Sequence, residues 1–496
     1  RQGMGTFSDF RFVHLAWEVP NINVGIGKIW EPLAKGGPFS LFYGDIHLML
    51  NWSKNGSELC EINKQNNGQT AQVRQASDWW RISGCTYSKR SAKGFSARAL
   101  PSNCIVTGKG PAIVTLSEIK NQYILGWLNS RLITSIIALQ ANAFEFNTGI
   151  LKQLPWKQPS NSQHKEITEL STKCVSYSHY LRSFNETDPF FYGCPNITSL
   201  NSSYQDYSKT FIEIQSRIDQ NSEIISRTID SIYKIDSSVV QISDLADDLD
   251  DIDLEENEDE QLSIHQFVYF YLSWIFGVLF GRWDGNRVVN RPDFEDGMSF
   301  FGPIPVCPPG MLQNSHGLPA SQMEISKDYP FRISWKGILT DDEGNTEDIL
   351  RGIQEAFYIL WKGRAEAIEQ EACQILGIRS LREYFRKPNL FFADHLKRYS
   401  KSRRAAPIYW PLSTPSCSYT LWLYYHRLND QTLYTCVNDF VDPKLKQVSD
   451  EAARLRLKKG RSTYDEKELE RLTDFERELK DFRDEILRVA KFWKPN

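Results

Sequence analysis

CIVTGKGPAIVTLSEIKNQYILGWLNSRL, residues 104–132, changes its hydrophobic period part-way along. Up to Val114 it is β-branched and apolar around a tight Gly108-Lys109-Gly110 loop, which predicts strand. From there Leu116, Ile119, Tyr123, Trp127 and Leu132 fall near helical spacing, which predicts helix over 116–141. One stretch that carries both periods argues for an α+β fold.

Working toward the N-terminus, Arg11–Val19, Pro38–Tyr43 and Asp78–Tyr87 read as further strands between glycine-containing loops. Gly149 and Pro155 break the chain, so a β-rich first domain is expected over 1–160. Residues 163–238 read as helices. Tyr204, Tyr207, Phe211, Ile214, Ile218, Ile225, Ile229 and Ile232 form a seam interrupted by Asn221, suited to internal packing or to a partner helix. Asp244–Glu260 holds eleven carboxylates in seventeen residues, a run that self-repels and reads as a solvated linker. FVYFYLSWIFGVLF at 267–280 is too short to span a bilayer and reads as a buried helix. This helical region with its acidic linker runs over 161–290.

The remainder, 291–496, is expected to be a mixed C-terminal domain. Arg291–Pro330 is loop; Thr346-Glu347-Asp348 starts a helix that Gly377 stops, and a second helical piece covers Ser380–Arg398. Ile408–Tyr425 reads as a hairpin turning at Thr414-Pro415-Ser416. Leu469, Leu472, Phe475, Leu479, Phe482, Ile486, Val489 and Trp493 form the apolar stripe of an amphipathic terminal helix.

At 496 residues the chain is long enough for two to four domains. The mixed first fifteen residues carry Arg and Asp, unlike a signal peptide, so a cytoplasmic protein is expected, away from membranes. Nine scattered cysteines without C-x-x-C spacing or a histidine cluster argue for free thiols rather than zinc. The net charge of −4 hides an asymmetry: residues 1–160 hold 17 Lys+Arg against 9 Asp+Glu, 161–300 hold 10 against 25, and 301–496 hold 31 against 28. A basic first segment is what phosphate neutralisation needs.

Two clusters carry that charge. Lys89, Arg90, Lys93 and Arg98 lie between strands and are followed by Lys109 in its glycine loop; Arg can read guanine bidentately, and glycines let backbone approach phosphate. Lys397, Arg398, Lys401, Arg403 and Arg404 precede Tyr409-Trp410 and suit backbone contacts, or a positive helix end. Signals for catalysis are poor. Gly25-Ile-Gly27 is a lone glycine pair, Asp474 with Glu478 and Lys480 lies within the terminal helical stripe, and the single Pro-Pro pair, Pro308–Pro309, follows Cys307 and precedes Gly310.

Four stretches carry a resemblance: RQGMGTFSDFRFVHLAWEV (1–19), GFSARALPSNCIVTGKGPAIV (94–114), NSRL (129–132) and FNTGILKQLPW (146–156). A second group comprises FGRWD (280–284), SKSRRAAPIYWPLST (400–414), YTLWLYYHRL (419–428) and YTCVNDFVDPKL (434–445). Together they resemble the target-recognition and C-terminal half of large adenine-specific DNA methyltransferases of the type IIG and BREX (PglX) kind. His14 stands where such proteins often carry another basic residue. The resemblance implies sequence-specific recognition of double-stranded DNA in bacterial phage defence or restriction-modification. It also implies S-adenosylmethionine as cofactor of the complete enzyme and none in this chain, because the Asn/Asp-Pro-Pro-aromatic loop that holds a flipped adenine is absent from the sequence. The methyltransferase domain would then be truncated away or a separate chain, leaving no catalytic residue to name here. On this reading the DNA-facing candidates are Arg11, Arg74, Lys89, Arg90, Lys93, Arg98, Lys109, Lys401, Arg403 and Arg404. The alternative is a non-catalytic scaffold that binds other defence proteins through its helical seam and acidic run.

Overall fold

The structure is a computed structural model that describes residues 3–67, 72–115, 119–142, 144–236, 261–289 and 299–494. The acidic run over 244–260 and Leu116 lie outside the described residues. Two compact units emerge. The first comprises Arg1–Asn196, Ser202–Ser263 and Arg287–Pro319; the second comprises Ile197–Asn201, Ile264–Asn286 and Ala320–Asn496. Both mix helices with small sheets, so the α+β expectation holds.

In the first unit a one-turn helix α1 (Asp9–Phe12) leads into β1 (Val13–Leu15). With β2 (Trp30–Ala34), β3 (Leu48–Asn51) and β6 (Ile105–Val106) it forms a sheet in the order β1-β3-β2-β6. A second sheet, β5-β4-β7, is built from β4 (Gly84–Tyr87), β5 (Ala97–Leu100) and β7 (Ala112–Ile113). The other elements of this unit are α2 (Ser53–Asn67), α3 (Asn121–Asn129), α4 (Arg131–Gln140), α5 (Thr148–Lys152), α6 (Asn161–Tyr180), β8 (Cys194–Pro195), most of α7 (Leu200–Tyr233) and β9 (Val288–Val289).

The strands are shorter than their sequence suggests. Of Arg11–Val19 only Val13–Leu15 is strand, because Asp9 is tethered by Thr6 and Lys35 and coils the chain through Phe12. Pro38–Tyr43 makes one isolated bridge, Phe42 to Arg98, with Phe42 at φ +67, which ends any extended run. Asp78–Tyr87 begins as a 3₁₀ turn and becomes strand only at Gly84. Several elements escape the sequence reading, β2 and α2 among them. In β2, Pro32 pairs with Met49 of β3 just before the parallel pairing with β6 begins at Leu33, so the missing N–H falls where the strand changes partner. In α2, the left-handed residues Lys54, Asn55 and Gly56 and a mostly polar surface hide the helix that Leu59 anchors.

Helix α3 carries Gly126 where a Cβ would come within 2.9 Å of Ile167 on α6, so these helices meet at close range. Phe211, Ile214, Ile218, Ile225, Ile229 and Ile232 of α7 are buried in this unit's core with Tyr123, Ile133 and Cys174. That seam is spent on internal packing.

The second unit is organised on α8 (Ile264–Leu279), buried without interruption from Phe267 to Leu279. Among the described residues no helix is long and apolar enough to cross a membrane. Asp348 caps α9 (Ile349–Trp361) by accepting from the Arg351 N–H, and Gly377, left-handed, closes α10 (Ala365–Leu376). The helix expected between them is broken at Lys362, φ +49. The piece expected over Ser380–Arg398 is two helices, α11 (Leu381–Arg386) and α12 (Phe391–Arg398), parted around Pro388. Then follow β11 (Ser400–Lys401) and β12 (Arg404–Ala405), which form a two-residue hairpin. The expected hairpin over 408–425 is β13 (Tyr409–Ser413) with β14 (Thr420–Tyr424), flanked by β10 (Ile338–Thr340). The chain ends in α13 (Thr432–Thr435), a π-helical turn at Cys436–Val441, α14 (Asp442–Leu457) and α15 (Thr463–Ala490). Leu472, Leu479, Phe482 and Ile486 of α15 pack with Leu421, Val437 and Val448.

Candidate nucleic-acid interface

The four stretches quoted for the first unit pack on one another. The Met4 N–H donates to the Val106 carbonyl and the Gly108 N–H to the Met4 carbonyl, at 3.1 and 3.0 Å. The Asn129 side chain clasps Ala97 of β5 through both its backbone groups, at 2.8 and 3.0 Å. Phe146 meets Phe95 edge-on at 5.4 Å, and its N–H donates to the Lys89 carbonyl. Glycine is needed at these contacts. A Cβ on Gly3 would strike the Thr107 backbone, and one on Gly36 would come within 2.9 Å of the Lys109 carbonyl.

Basic side chains rim this junction, and most are held by carboxylates. Arg11 pairs with Glu58, and Lys35 with Asp9. Lys89 lies 2.8 Å and Arg90 3.6 Å from the Glu145 carboxylate. Arg74 donates to the Asn55 carbonyl at 2.7 Å, two residues from Gln72, whose carbonyl accepts from Gly5. Lys93 and Lys109 are exposed, and the Lys109 carbonyl accepts from the Lys89 N–H at 3.0 Å. Asp9 and Glu145 are both held low. Lys89 first, then Arg90, holds the Glu145 carboxyl below its usual value. Burial pushes Asp9 up, but hydrogen bonds from Lys35 and Thr6 and the charges of Lys35 and Lys109 outweigh it, so Asp9 also sits low. The arrangement is a set of surface ion pairs, of the kind that contribute little to folding stability.

Arg98 stands apart. It lies on β5, 4 % exposed, and donates to Ser88 Oγ at 2.9 Å and to the Pro38 carbonyl at 3.3 Å, against Gly37 and Gly44. Its place is the interior of the unit, beneath the loop that carries Lys89 and Arg90. Sequence reasoning missed Lys35, whose only signal is its place before Gly36-Gly37, and missed the exposed Phe7 and Phe10.

In the second unit Lys401, Arg403 and Arg404 lie on the β11–β12 hairpin. Its two turn residues, Ser402 and Arg403, both have positive φ, +52 and +61, the geometry of a type I′ turn that ordinarily takes Asn-Gly. The hairpin springs from α12, whose His395 is fully buried, kept neutral by burial, and accepts the Ile408 and Tyr409 N–H groups on Nε2 at 3.1 Å.

All nine cysteines are free thiols, and no group of three or more His, Cys, Asp or Glu among the described residues is arranged to hold a metal ion.

Comparison with known proteins adds two relatives. The chain is 22 % identical to the adenine-specific methyltransferase PglX of Lacticaseibacillus casei (strain Zhang) over 529 aligned positions, 97 % of this chain and 40 % of that protein. It is 22 % identical to the adenine-specific methyltransferase BrxX of Escherichia coli O9:H4 (strain HS) over 471 positions, 86 % of this chain and 34 % of that protein. The chain thus spans well under half the length of these curated relatives. No family model matches it.

Proposed function

We infer that this chain is the double-stranded-DNA-reading part of an adenine-specific methyltransferase of the BREX or restriction-modification kind. The observation that carries the reading is the junction itself. The four stretches of the resemblance meet there, and Arg11, Lys35, Lys89, Arg90 and Lys109 rim it. The relatives named as adenine-specific methyltransferases support the enzyme class. Methyl transfer itself, with S-adenosylmethionine, belongs to a catalytic part outside this sequence, which has no Asn/Asp-Pro-Pro-aromatic loop to hold an extruded adenine. The cations of the rim neutralise phosphates and set the register on the duplex. Lys401, Arg403 and Arg404 form a second backbone-binding element. Arg98 supports the loop above it and does not read bases.

Duplex binding measured by fluorescence anisotropy from about 50 to 200 mM salt tests this. About six phosphate contacts weaken affinity by roughly a thousandfold over that range. A flat response, or no binding at low salt, would overturn the reading.

A further inference from the structure

The turn between α14 and α15 gathers positive charge in one place. From Ala452 to Tyr464 the chain carries Arg454, Arg456, Lys458, Lys459 and Arg461 and not one carboxylate. The flanks are the reverse: residues 442–451 hold two cations against three carboxylates, and residues 465–476 hold two against six. All five cations are exposed, as are Leu457 and Tyr464, and a Cβ on the left-handed Gly460 would meet nothing within 4 Å. Below this tip the helices are fixed. Val448, Ala452 and Leu455 of α14 share a core with Leu469, Leu472 and Leu479 of α15, and Ser462 with Asp465 forms the capping box that starts α15.

The bordering carboxylates account for two of the five cations. Asp465 holds Lys458 at 2.8 Å, and Glu476 lies 3.9 Å from Arg456 and 2.8 Å from Lys480. Glu451 accepts from Gln447, and Asp450 and Glu466 are exposed on the flanks. Arg454, Lys459 and Arg461 have no partner among the described residues. Helix electrostatics explains part of this set. Arg454, Arg456 and Lys458 sit at the carbonyl end of α14, where a cation is favoured. Arg461 immediately precedes the Ser462 cap, at the amide end of α15, where a cation is disfavoured. A residue kept against the dipole of the helix it introduces serves something outside the chain. A bilayer is broad and would bring the acidic flanks against anionic headgroups, whereas a duplex backbone is a narrow ridge of charge that a turn alone can meet. Tyr464 adds a hydroxyl of the kind that contacts phosphate.

We propose that the α14–α15 turn is a further phosphate-backbone contact of this chain on double-stranded DNA, made by Arg454, Lys459 and Arg461. This rests on the DNA-reading assignment above.

The test uses the whole chain as wild type, as Arg461→Glu, and as a triple variant combining Arg454→Gln, Lys459→Gln and Arg461→Gln. A labelled duplex is titrated by anisotropy from about 50 to 200 mM salt. The triple variant should bind roughly tenfold or more weakly at the low-salt end, with a log–log salt slope shallower by about 2–3. Arg461→Glu should also bind more weakly, while its melting temperature stays level or rises, because a carboxylate suits the start of a helix. Equal affinity and slope for wild type and triple variant overturn the turn contact and keep the DNA-reading assignment. The contact is likewise overturned if the losses come with a matching fall in melting temperature, or if polyglutamate binds the wild type as tightly as duplex does. Retention of the wild type but not the triple variant by phosphatidylserine vesicles, with duplex binding the same in both, overturns it in favour of a membrane. A wild type that binds no duplex at low salt removes the DNA-reading assignment and the turn contact with it.

Discussion

The basic residues of the two units are held in contrasting ways. In the first unit they divide between an interior set and a rim. Arg98 is enclosed by Ser88, Pro38 and two glycines; Arg81 is bidentate on Glu31, itself 0 % exposed; Arg182 lies 3.2 Å from the buried Asp45. The rim cations meet half-exposed carboxylates instead. In the second unit the interior has its own arginine, Arg382, shared by Asp341 and Asp348, while the surface cations ride on a turn whose backbone is strained. Spacing in sequence does not separate these jobs. Arg90 and Arg98 are eight residues apart, and one is exposed while the other is enclosed. Carboxylates hold the rim cations of the first unit, and the hairpin of the second turns through two left-handed residues.

The largest effect should come from the interior set. Arg81→Ala leaves Glu31 buried without its cation, and should cost about 3–5 kcal/mol of stability. Arg98→Ala should cost about 3 kcal/mol through lost packing and hydrogen bonds. Denaturant midpoints measure both. If Arg98→Ala instead leaves the midpoint unchanged and alters site preference, the side chain reads bases and the interior assignment fails.

A second effect depends on pH and arises in the first unit's interior. Asp188 accepts the Tyr43 hydroxyl at 2.9 Å, near Asp45, Arg182 and His179. Burial, then the neighbouring Asp45 charge, pushes its carboxyl up to about 7. An unfolded aspartate titrates near ~4, so the folded state binds this proton more tightly. Its contribution is full below pH ~4, declines as pH rises, and is gone above about 7. His179, held down to about 3 by burial and then by Arg182, works the other way: its contribution is full above its unfolded value near ~6.5 and is lost as pH falls. Asp188→Asn should abolish the decline toward pH 7 and leave the acid-side loss. Urea midpoints between pH 4 and 8 that keep the same profile in the variant would rule out Asp188 as its source.

What the sequence made legible follows from the same contrast. Long periodic elements were readable: α7 and α15 have apolar seams that survive any context, and Asp348 and Gly377 mark helix ends by local chemistry alone. The small sheets were readable only as a class. Their strands run two to five residues, too short for a period to declare itself, and their ends are set by left-handed residues such as Phe42 that no composition announces. The cations were visible as a cluster, but enclosure by Gly37 and Gly44, which separates Arg98 from Arg90, is a tertiary fact. Lys35 carried no local signal beyond its place before Gly36-Gly37.

At the rim a smaller effect of opposite sign is expected. Glu145 occupies Lys89 and Arg90, so on the proposed function a phosphate would have to displace it. On the DNA-reading proposal, Glu145→Gln should tighten duplex binding about two- to five-fold, with little change in stability, because exposed pairs contribute little to folding. Anisotropy titration at fixed salt reads it. Weaker binding in the variant would mean that Glu145 orients the two cations rather than competing with DNA.

The smallest effect isolates the hairpin. Arg403 at φ +61 sits where glycine carries no Cβ penalty, while its charge is one of the cluster's own. Arg403→Gly relieves the left-handed strain and adds unfolded-state entropy, which partly cancel, so stability should rise by no more than about 0.5 kcal/mol. If Arg403 contacts phosphate as proposed, the same change should shallow the salt slope by about 1 in log–log terms, weakening all duplexes alike. Arg403→Ala keeps the strain and loses the charge, so the pair separates the two roles. A glycine variant that is more stable and binds duplex as well as wild type would show that the turn tolerates its arginine for a reason other than DNA. A glycine variant that weakens one site sequence more than others would make this hairpin, and not the rim of the first unit, a reader of bases.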